Sequence, residues 1–138
     1  MSSNTILEVK NLKVTFDVRS EGDMPWTKAK KLQAVNNISF SLNAGQTLGV
    51  VGESGCGKST LARAIVKMVP VESGEVVWLG NDLLGLNDSE TRPFRKQIQM
   101  IFQDPLASLN PRMNIGEIIA EPLRTHYPKT PESDVQAR

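Results

Sequence analysis

The side chains best suited to chemistry lie in a glycine-rich loop near the middle of the chain. Residues 52–59 have the sequence GESGCGKS, which fits the pattern GxxxxGK[ST]. Glycines at this spacing let successive backbone N–H groups turn toward one point, where they can surround a phosphate without side-chain clashes. Lys58 can reach the β- and γ-phosphates of a nucleoside triphosphate, and the Ser59 hydroxyl can hold Mg²⁺. The loop therefore predicts a phosphate-binding site.

The flanking residues supply the elements that such a loop needs. The apolar run 48–51 predicts a strand before it, and Leu61, Ile65 and Met68 recur at helical spacing after it. A helix that begins near Lys58 would direct its positive dipole end at the bound phosphate. The predicted nucleotide ligands within this segment are Gly52, Ser54, Gly55, Cys56, Gly57, Lys58, Ser59 and Thr60.

Composition argues against several other classes of function. The 16 Lys and Arg residues and 15 Asp and Glu residues leave a net charge of +1, so no nucleic-acid partner is expected. No apolar run approaches the ~20 residues that a membrane-spanning helix needs, and the first ten residues lack the features of a signal peptide. The single cysteine, Cys56, permits no internal disulfide, which suits a reducing cytosol. We interpret it as a small filler residue of the loop rather than as a reactive thiol or a metal ligand.

The residues before the loop predict antiparallel strands. Within residues 6–16, apolar and polar side chains alternate in two short pieces, Leu7/Val9 and Leu12/Val14/Phe16. They alternate again, with some slippage, over residues 34–42, and residues 44–45 are expected to turn the chain. Residues 19–33 have no periodicity and include Trp26 among several lysines. A solvated loop or insertion is the preferred interpretation, and a contact with a partner or with lipid headgroups is the alternative.

Two more strands are predicted after the loop, at 75–79 and 98–102, and the second should be buried on both faces because it is mostly apolar. Pro70 is expected to end the helix that follows the loop. Residues 87–90 resemble a helix start, but Pro93 lies too deep for an unbroken helix. That helix either begins later, with Pro93 in its first turn, or is kinked.

The C-terminal residues predict two more helices. Asn114 is expected to cap a helix that stops at Pro122, and Thr130 to cap a helix whose first residue is Pro131. His126 then falls in the loop between them and is interpreted as an ordinary loop histidine.

The order of these features resembles the ATP-binding subunit of an ABC transporter, and it is especially similar to the subunits of oligopeptide and dipeptide importers. The likeness covers essentially the whole chain and rests on the phosphate loop 52–59 and on the stretch IFQDPLASLNP at 101–111. It implies an α/β fold with a P-loop NTPase (RecA-like) core and an N-terminal antiparallel β subdomain, incomplete at the C-terminus. The expected divisions are 1–46 for the β region, 47–105 for the core up to the glutamine loop, and 106–138 for the start of a helical subdomain.

The resemblance also assigns two residues outside the phosphate loop. Phe16 falls where the family places an aromatic residue that stacks on adenine, and a core phenylalanine is the alternative. Gln103 falls where the family uses a glutamine to contact Mg²⁺ or its water and to sense the transmembrane partner, and an ordinary strand-end glutamine is the alternative. The implied ligands are ATP and Mg²⁺, with Ser59 and Gln103 as the metal ligands.

Three motifs of the family are missing from the 138 residues: the LSGGQ signature, a Walker B strand that ends in Asp-Glu, and a switch histidine. Phosphoryl transfer depends on positioning and charge stabilisation. The resemblance therefore implies the first part of an importer ATPase that binds nucleotide and does not hydrolyse it effectively alone.

The resemblance implies several partners and a location. The partners are a second, homologous ATPase subunit, permease subunits contacted through the glutamine-loop region and, indirectly, a solute-binding protein outside the membrane. The location is the cytoplasmic face of the inner membrane, with the chain peripheral to it. The transported solute stays open between oligopeptide, dipeptide and nickel. A stand-alone nucleotide-binding or regulatory module without hydrolysis is the alternative function, and a small-molecule kinase would need a lid with arginines that the sequence does not offer.

Overall fold

The computed structural model describes residues 4–19, 22, 24, 29–104, 106 and 108–137. The chain forms two compact units, Met1–Pro93 and Phe94–Arg138. Trp26 and six other residues of the predicted insertion lie outside the described residues, so its proposed contact role stays a prediction.

The first unit is built on an antiparallel sheet of four strands: β1 (Thr5–Val18), β2 (Lys30–Asn43), β3 (Ser73–Trp78) and β4 (Asn81–Asp82). Their order in the sheet is β2-β1-β3-β4. The predicted antiparallel strands are thus confirmed, as is the turn at residues 44–45. The loop predicted to extend to residue 33 is wrong at its end, because β2 already begins at Lys30 and pairs there with Val18.

The core of this unit lies between one face of the sheet and helix α1 (Lys58–Ile65). Alternate side chains point into it within each half of β1, Leu7 and Val9 in the first and Leu12 and Val14 in the second, with a register shift between Val9 and Leu12. Leu61 and Ala64 of α1 are buried, but Met68 lies past the end of the helix and is 54% exposed. Helix α1 ends at Ile65, five residues before Pro70. Two residues past this end, Lys67 takes a left-handed conformation (φ 56°). The buried apolar residues of the sheet and the segment after it are Leu7, Val9, Leu12, Val14, Val35, Val76 and Leu83.

The two apolar segments predicted as strands, 48–51 and 98–102, have no strand conformation in the structure, and this part of the prediction is wrong. Val51 is 92% exposed and Ile101 is 95% exposed. A parallel strand is stabilised by hydrogen bonds to neighbours and by cover on both faces. Among the described residues, no strand pairs with either segment, so their apolar pattern has no sheet in which to be buried.

Two short helical elements follow the sheet. Helix α2 (Asp88–Thr91) begins with the predicted capping box, in which the Asn87 side chain accepts from the Glu90 N–H and the Glu90 carboxylate accepts from the Asn87 N–H. The helix ends before Pro93, so neither the later start nor the kink is observed. In the second unit, a 3₁₀ turn spans Phe94–Lys96.

The second unit contains helix α3 (Ile115–His126) and helix α4 (Glu132–Gln136). Asn114 caps α3 through a capping box, as predicted. The predicted stop at Pro122 is wrong: proline removes one backbone donor, but the helix continues and the Tyr127 N–H still bonds to the Leu123 carbonyl at 2.8 Å. His126 is therefore the last residue of α3 rather than a loop residue.

The cap predicted for α4 is also wrong by one residue. Pro131 occupies the N-cap position in an extended conformation and offers no side-chain bond. A salt bridge between Arg124 and Glu132 joins α3 to α4, and the Lys96 ammonium lies 4.3 Å from the centre of the Tyr127 ring. Within the described ranges, no helix has both the length and the apolar character needed to cross a membrane.

Candidate functional site

The glycine-rich loop is held against strand β2 by close backbone packing. Gly57 has φ 96°, a left-handed conformation that glycine adopts without penalty. A Cβ atom built on Gly57 would lie 2.2 Å from the carbonyl oxygen of Ala34 and 3.9 Å from a methyl carbon of Val35. The strand backbone thus sits where a side chain would have to be, and only glycine lets the loop approach this closely.

The register of the sheet explains why Ala34 is available for this contact. Val14 pairs with Val35 and Thr15 pairs with Gln33, so Ala34 is an extra residue on β2 without a partner on β1. Such a β-bulge bends the strand locally and is common beside functional sites. The sequence analysis missed this feature, and its only trace in the sequence is the slippage of the alternation over residues 34–42.

The N-terminus of α1 is open toward the loop. Gly57 is the N-cap and supplies no side-chain bond, and the first turn carries no acidic residue. The first backbone bond of the helix runs from the Leu61 N–H to the Gly57 carbonyl, at 2.8 Å. The N–H groups of Lys58, Ser59 and Thr60 therefore precede the intrahelical ladder, and with the positive end of the helix dipole they can receive an anion.

The Lys58 side chain folds back over the loop. Its ammonium group donates to the carbonyl oxygens of Gly52 at 2.7 Å and Glu53 at 2.6 Å, and it lies 3.5 Å from the Cys56 sulfur. The loop thus holds one positive charge beside the open helix N-terminus. This combination of donors fits a phosphate, because an anion can bind an ammonium group and several N–H groups at once.

The remaining predicted ligands line the same loop. Ser54, Cys56 and Ser59 are exposed, whereas Thr60 is half-buried. The Cys56 sulfur would lie 2.6 Å from a Cβ on Gly52, so the thiol packs directly over the backbone at the start of the loop.

An open cleft of about 340 Å³ lies between the loop and β2. Its walls come from three sources: strand β2, the apolar segment before the loop, and the loop with the first turn of α1. They include Gln33, Ala34, Val35, Asn36, Ile38, Val50, Val51, Cys56, Gly57, Lys58 and Leu61.

Phe16 lies near the end of β1, on the face that carries the core. It is half-buried and pairs with Leu32 of β2, two register steps from the Val14–Val35 pair that contacts Gly57. The fold thus brings Phe16 to the neighbourhood of the phosphate loop, although it is not among the residues that line the cleft.

Gln103 belongs to the second unit. It lies in a bend and is exposed, and residues 98–102 before it have no strand conformation. Its role stays a prediction that rests on the resemblance at IFQDP, residues 101–105.

The sequence model described as ABC transporter matches residues 35–138. Among curated proteins, the chain is similar to the oligopeptide transport ATP-binding protein OppF of Salmonella typhimurium, with 58% identity over 133 residues, 96% of this chain and 40% of the relative. It is 56% identical to OppF of Escherichia coli over the same shares of both chains. The oligopeptide transport ATP-binding protein AppF of Bacillus subtilis is 44% identical over 126 residues, 91% of this chain and 38% of the relative.

Solved structures show the same fold at lower sequence identity. The dimeric post-hydrolysis state of the ATP-binding cassette MJ0796 bound to ADP and Pi superposes with a TM-score of 0.78 at 22% identity, covering 96% of this chain and 53% of that chain. A second dimeric structure of MJ0796, described as a bacterial ABC transporter cassette, gives a TM-score of 0.77 at 23% identity, with the same coverage. Together with the antiparallel sheet of the first unit, this likeness confirms the predicted fold class. The chain spans about 40% of the length of the OppF relatives it matches.

Proposed function

Since the chain belongs to the ABC transporter family, we propose that it is the nucleotide-binding part of an ATPase subunit that energises oligopeptide import. The observation that carries this proposal is the Lys58 ammonium held over a glycine loop at an open helix N-terminus. The 53–58% identity to the OppF oligopeptide transport proteins favours oligopeptide over dipeptide or nickel as the solute class.

ATP is the proposed ligand of the loop. On binding, Lys58 would exchange its bonds to the loop carbonyls for charge-assisted bonds to the phosphates, and the N–H groups at the start of α1 would bind the same anion. Phe16 would offer its ring to the adenine.

Mg²⁺ is the proposed metal, with the Ser59 hydroxyl and the Gln103 amide oxygen as its ligands. These two residues would hold the ion, which would supply positive charge to offset the negative charge that develops during phosphoryl transfer. Ser59 fits this role because its hydroxyl is exposed in the first turn of α1, beside the N–H groups that would hold the phosphate. Support for Gln103 is its sequence context.

Hydrolysis requires groups beyond these residues. The sequence of 138 residues includes neither an LSGGQ segment nor a Walker B strand ending in Asp-Glu. We propose that residues 1–138 alone bind ATP but turn it over at a rate close to background, because a positioned base is needed to activate the attacking water.

The proposed partners are a second homologous ATPase subunit and permease subunits, contacted through the region around Gln103. A solute-binding protein outside the membrane would act indirectly. The proposed location is the cytoplasmic face of the inner membrane, where the permease subunits would hold the chain as a peripheral protein.

A peptide-uptake assay tests this function. In a host whose own gene is deleted, the full-length gene product should restore growth on a peptide as the only source of a required amino acid. The Lys58→Ala variant should fail to restore growth. The matched control is Lys129→Ala, which removes the same charge from an exposed lysine of the second unit. Equal growth with Lys58→Ala and with the unchanged protein would contradict the proposal.

A further inference from the structure

Helix α1 ends in a backbone conformation that is strained for a lysine. The Lys67 N–H bonds to the Ala64 carbonyl at 3.1 Å, and the Met68 N–H bonds to the Arg63 carbonyl at 2.8 Å. This pair of bonds forms a Schellman motif, in which the residue before the last donor is left-handed and is usually glycine. Here that residue is Lys67, with φ 56°. A lysine in this position carries a cost that glycine would avoid, which points to a role for its side chain.

The Lys67 side chain bonds to the segment that begins helix α2. Its ammonium group donates to the Leu86 carbonyl at 2.6 Å and to the Thr91 hydroxyl oxygen at 3.4 Å. Thr91 is 4% exposed, and its hydroxyl donates to the Asn87 carbonyl at 2.8 Å, so a lone pair of the same oxygen can accept from Lys67. These bonds join the end of α1 to residues 86–91.

Helix α1 is thereby held at both ends. At its N-terminus Gly57 packs on Ala34, and past its C-terminus Lys67 bonds to the start of α2. The helix has eight residues and is therefore about 12 Å long, so a shift of about 1 Å at one end tilts its axis by about 5°. Without the ammonium group, the partly buried Leu86 carbonyl would lose its donor and the far end of α1 would lose its anchor.

The phosphate site depends on where α1 points. The N–H groups of residues 58–60 bind an anion best when the helix is already aimed at it, because a preorganised site loses less entropy on binding. We propose that Lys67 is a positioning residue of the phosphate site, which ties α1 to the start of α2 and so keeps these N–H groups aimed at the nucleotide phosphates. This inference rests on the proposed function, because it takes phosphate binding at the loop as given.

Variants of Lys67 in the full-length gene product test this role by titration calorimetry with Mg-ATP and by urea unfolding. Lys67→Met removes the ammonium group and keeps an unbranched side chain, and it should bind Mg-ATP about threefold to tenfold more weakly. Lys67→Arg keeps a charged donor and should bind within about twofold of the unchanged protein. The control is Lys129→Met, which removes the same charge from an exposed lysine of the second unit and should change neither affinity nor stability.

Lys67→Gly separates positioning from stability. Glycine adopts φ 56° without strain, so this variant loses the bonds to residues 86–91 and is also relieved of the backbone cost. Its urea midpoint should therefore lie closer to that of the unchanged protein than the midpoint of Lys67→Met does. Its affinity for Mg-ATP should still fall as far as in Lys67→Met, because neither variant has the ammonium group.

Two results would overturn the positioning role. One is unchanged Mg-ATP affinity in Lys67→Met and Lys67→Gly, and the other is an affinity that simply follows the urea midpoint from variant to variant. If Lys67→Met does not fold, Lys67→Gly decides the question, because it carries no left-handed strain. Phosphate binding at the loop would stand after either result if Lys58→Ala lost affinity. Failure of the unchanged protein to bind Mg-ATP would overturn the proposed function itself, and the role of Lys67 with it.

Discussion

The close approach of Gly57 to Ala34 predicts that Gly57→Ala will be far more damaging than the same change at Gly55. Both glycines have positive φ, 96° and 81°, so an alanine at either position carries left-handed strain of roughly 1–2 kcal/mol. They differ in their surroundings. A Cβ on Gly55 would meet no atom within 4 Å, whereas a Cβ on Gly57 would lie 2.2 Å from the Ala34 carbonyl oxygen.

The extra cost at Gly57 follows from that overlap. The loop or the strand must shift by roughly 1 Å to restore ordinary contact, and overpacking of this kind costs about 1–3 kcal/mol. We therefore expect Gly57→Ala to lower the free energy of unfolding by about 2–5 kcal/mol and Gly55→Ala by about 1–2 kcal/mol. The shift also moves the N-cap of α1, so ATP affinity should fall about tenfold or more for Gly57→Ala.

Urea unfolding and calorimetric titration of both variants of the full-length gene product test these values. Gly45→Ala is the control for strain alone, since it has φ 74° and nothing within 4 Å, in a turn outside the loop. Equal destabilisation by Gly57→Ala and Gly55→Ala would refute the packing of the loop on β2.

Three further outcomes follow from the structure. Phe16→Ala should weaken ATP binding by about 1 kcal/mol with little loss of stability, because the ring is only half-buried. A loss of about 3 kcal/mol or more in the free energy of unfolding, without a selective effect on ATP binding, would instead assign Phe16 to the core. Arg124 lowers the pKa of Glu132 below its ordinary value of 4.5, so this pair stabilises the folded state above that pH and loses its contribution as the pH falls through the lowered folded pKa. Glu132→Gln should therefore lower the urea midpoint at pH 7 but not at pH 2, and an equal loss at both values would point to packing instead. Residues 1–138 expressed alone should self-associate in size-exclusion chromatography, because Val51 and Ile101 are exposed. The double variant Val51→Ser with Ile101→Ser should self-associate less. A monodisperse monomer for both the unchanged chain and the double variant would contradict the role of these side chains.

Local patterns in the sequence predicted the elements that local interactions stabilise. The alternation in β1 and β2, the capping boxes at Asn87 and Asn114, and the start of α1 at Lys58 depend on residues close in the chain, and the structure contains all of them. The phosphate loop was equally predictable, since its function requires fixed residue types at fixed spacing.

The features that depend on distant contacts were not predictable in the same way. An apolar run such as 98–102 becomes a buried strand only if other strands flank it, and no such strands exist among the described residues. The passage of α3 through Pro122 shows that intact bonds on either side of a proline can outweigh the loss of one donor. The bulge at Ala34 arises from the pairing of two strands, and the sequence of β2 alone shows only a slip in its alternation.

Titration of the full-length gene product with Mg-ATP, compared between the unchanged protein and Lys58→Ala, tests nucleotide binding at the glycine loop most directly. The Lys58 ammonium group donates to the Gly52 and Glu53 carbonyls in this structure. Its removal should cost a charge-assisted contact to phosphate worth roughly 1.5–3 kcal/mol, so the affinity for ATP should fall about tenfold or more. Lys129→Ala should bind ATP as the unchanged protein does. Equal ATP affinity for the unchanged protein and Lys58→Ala would contradict the assignment of the loop as the phosphate site.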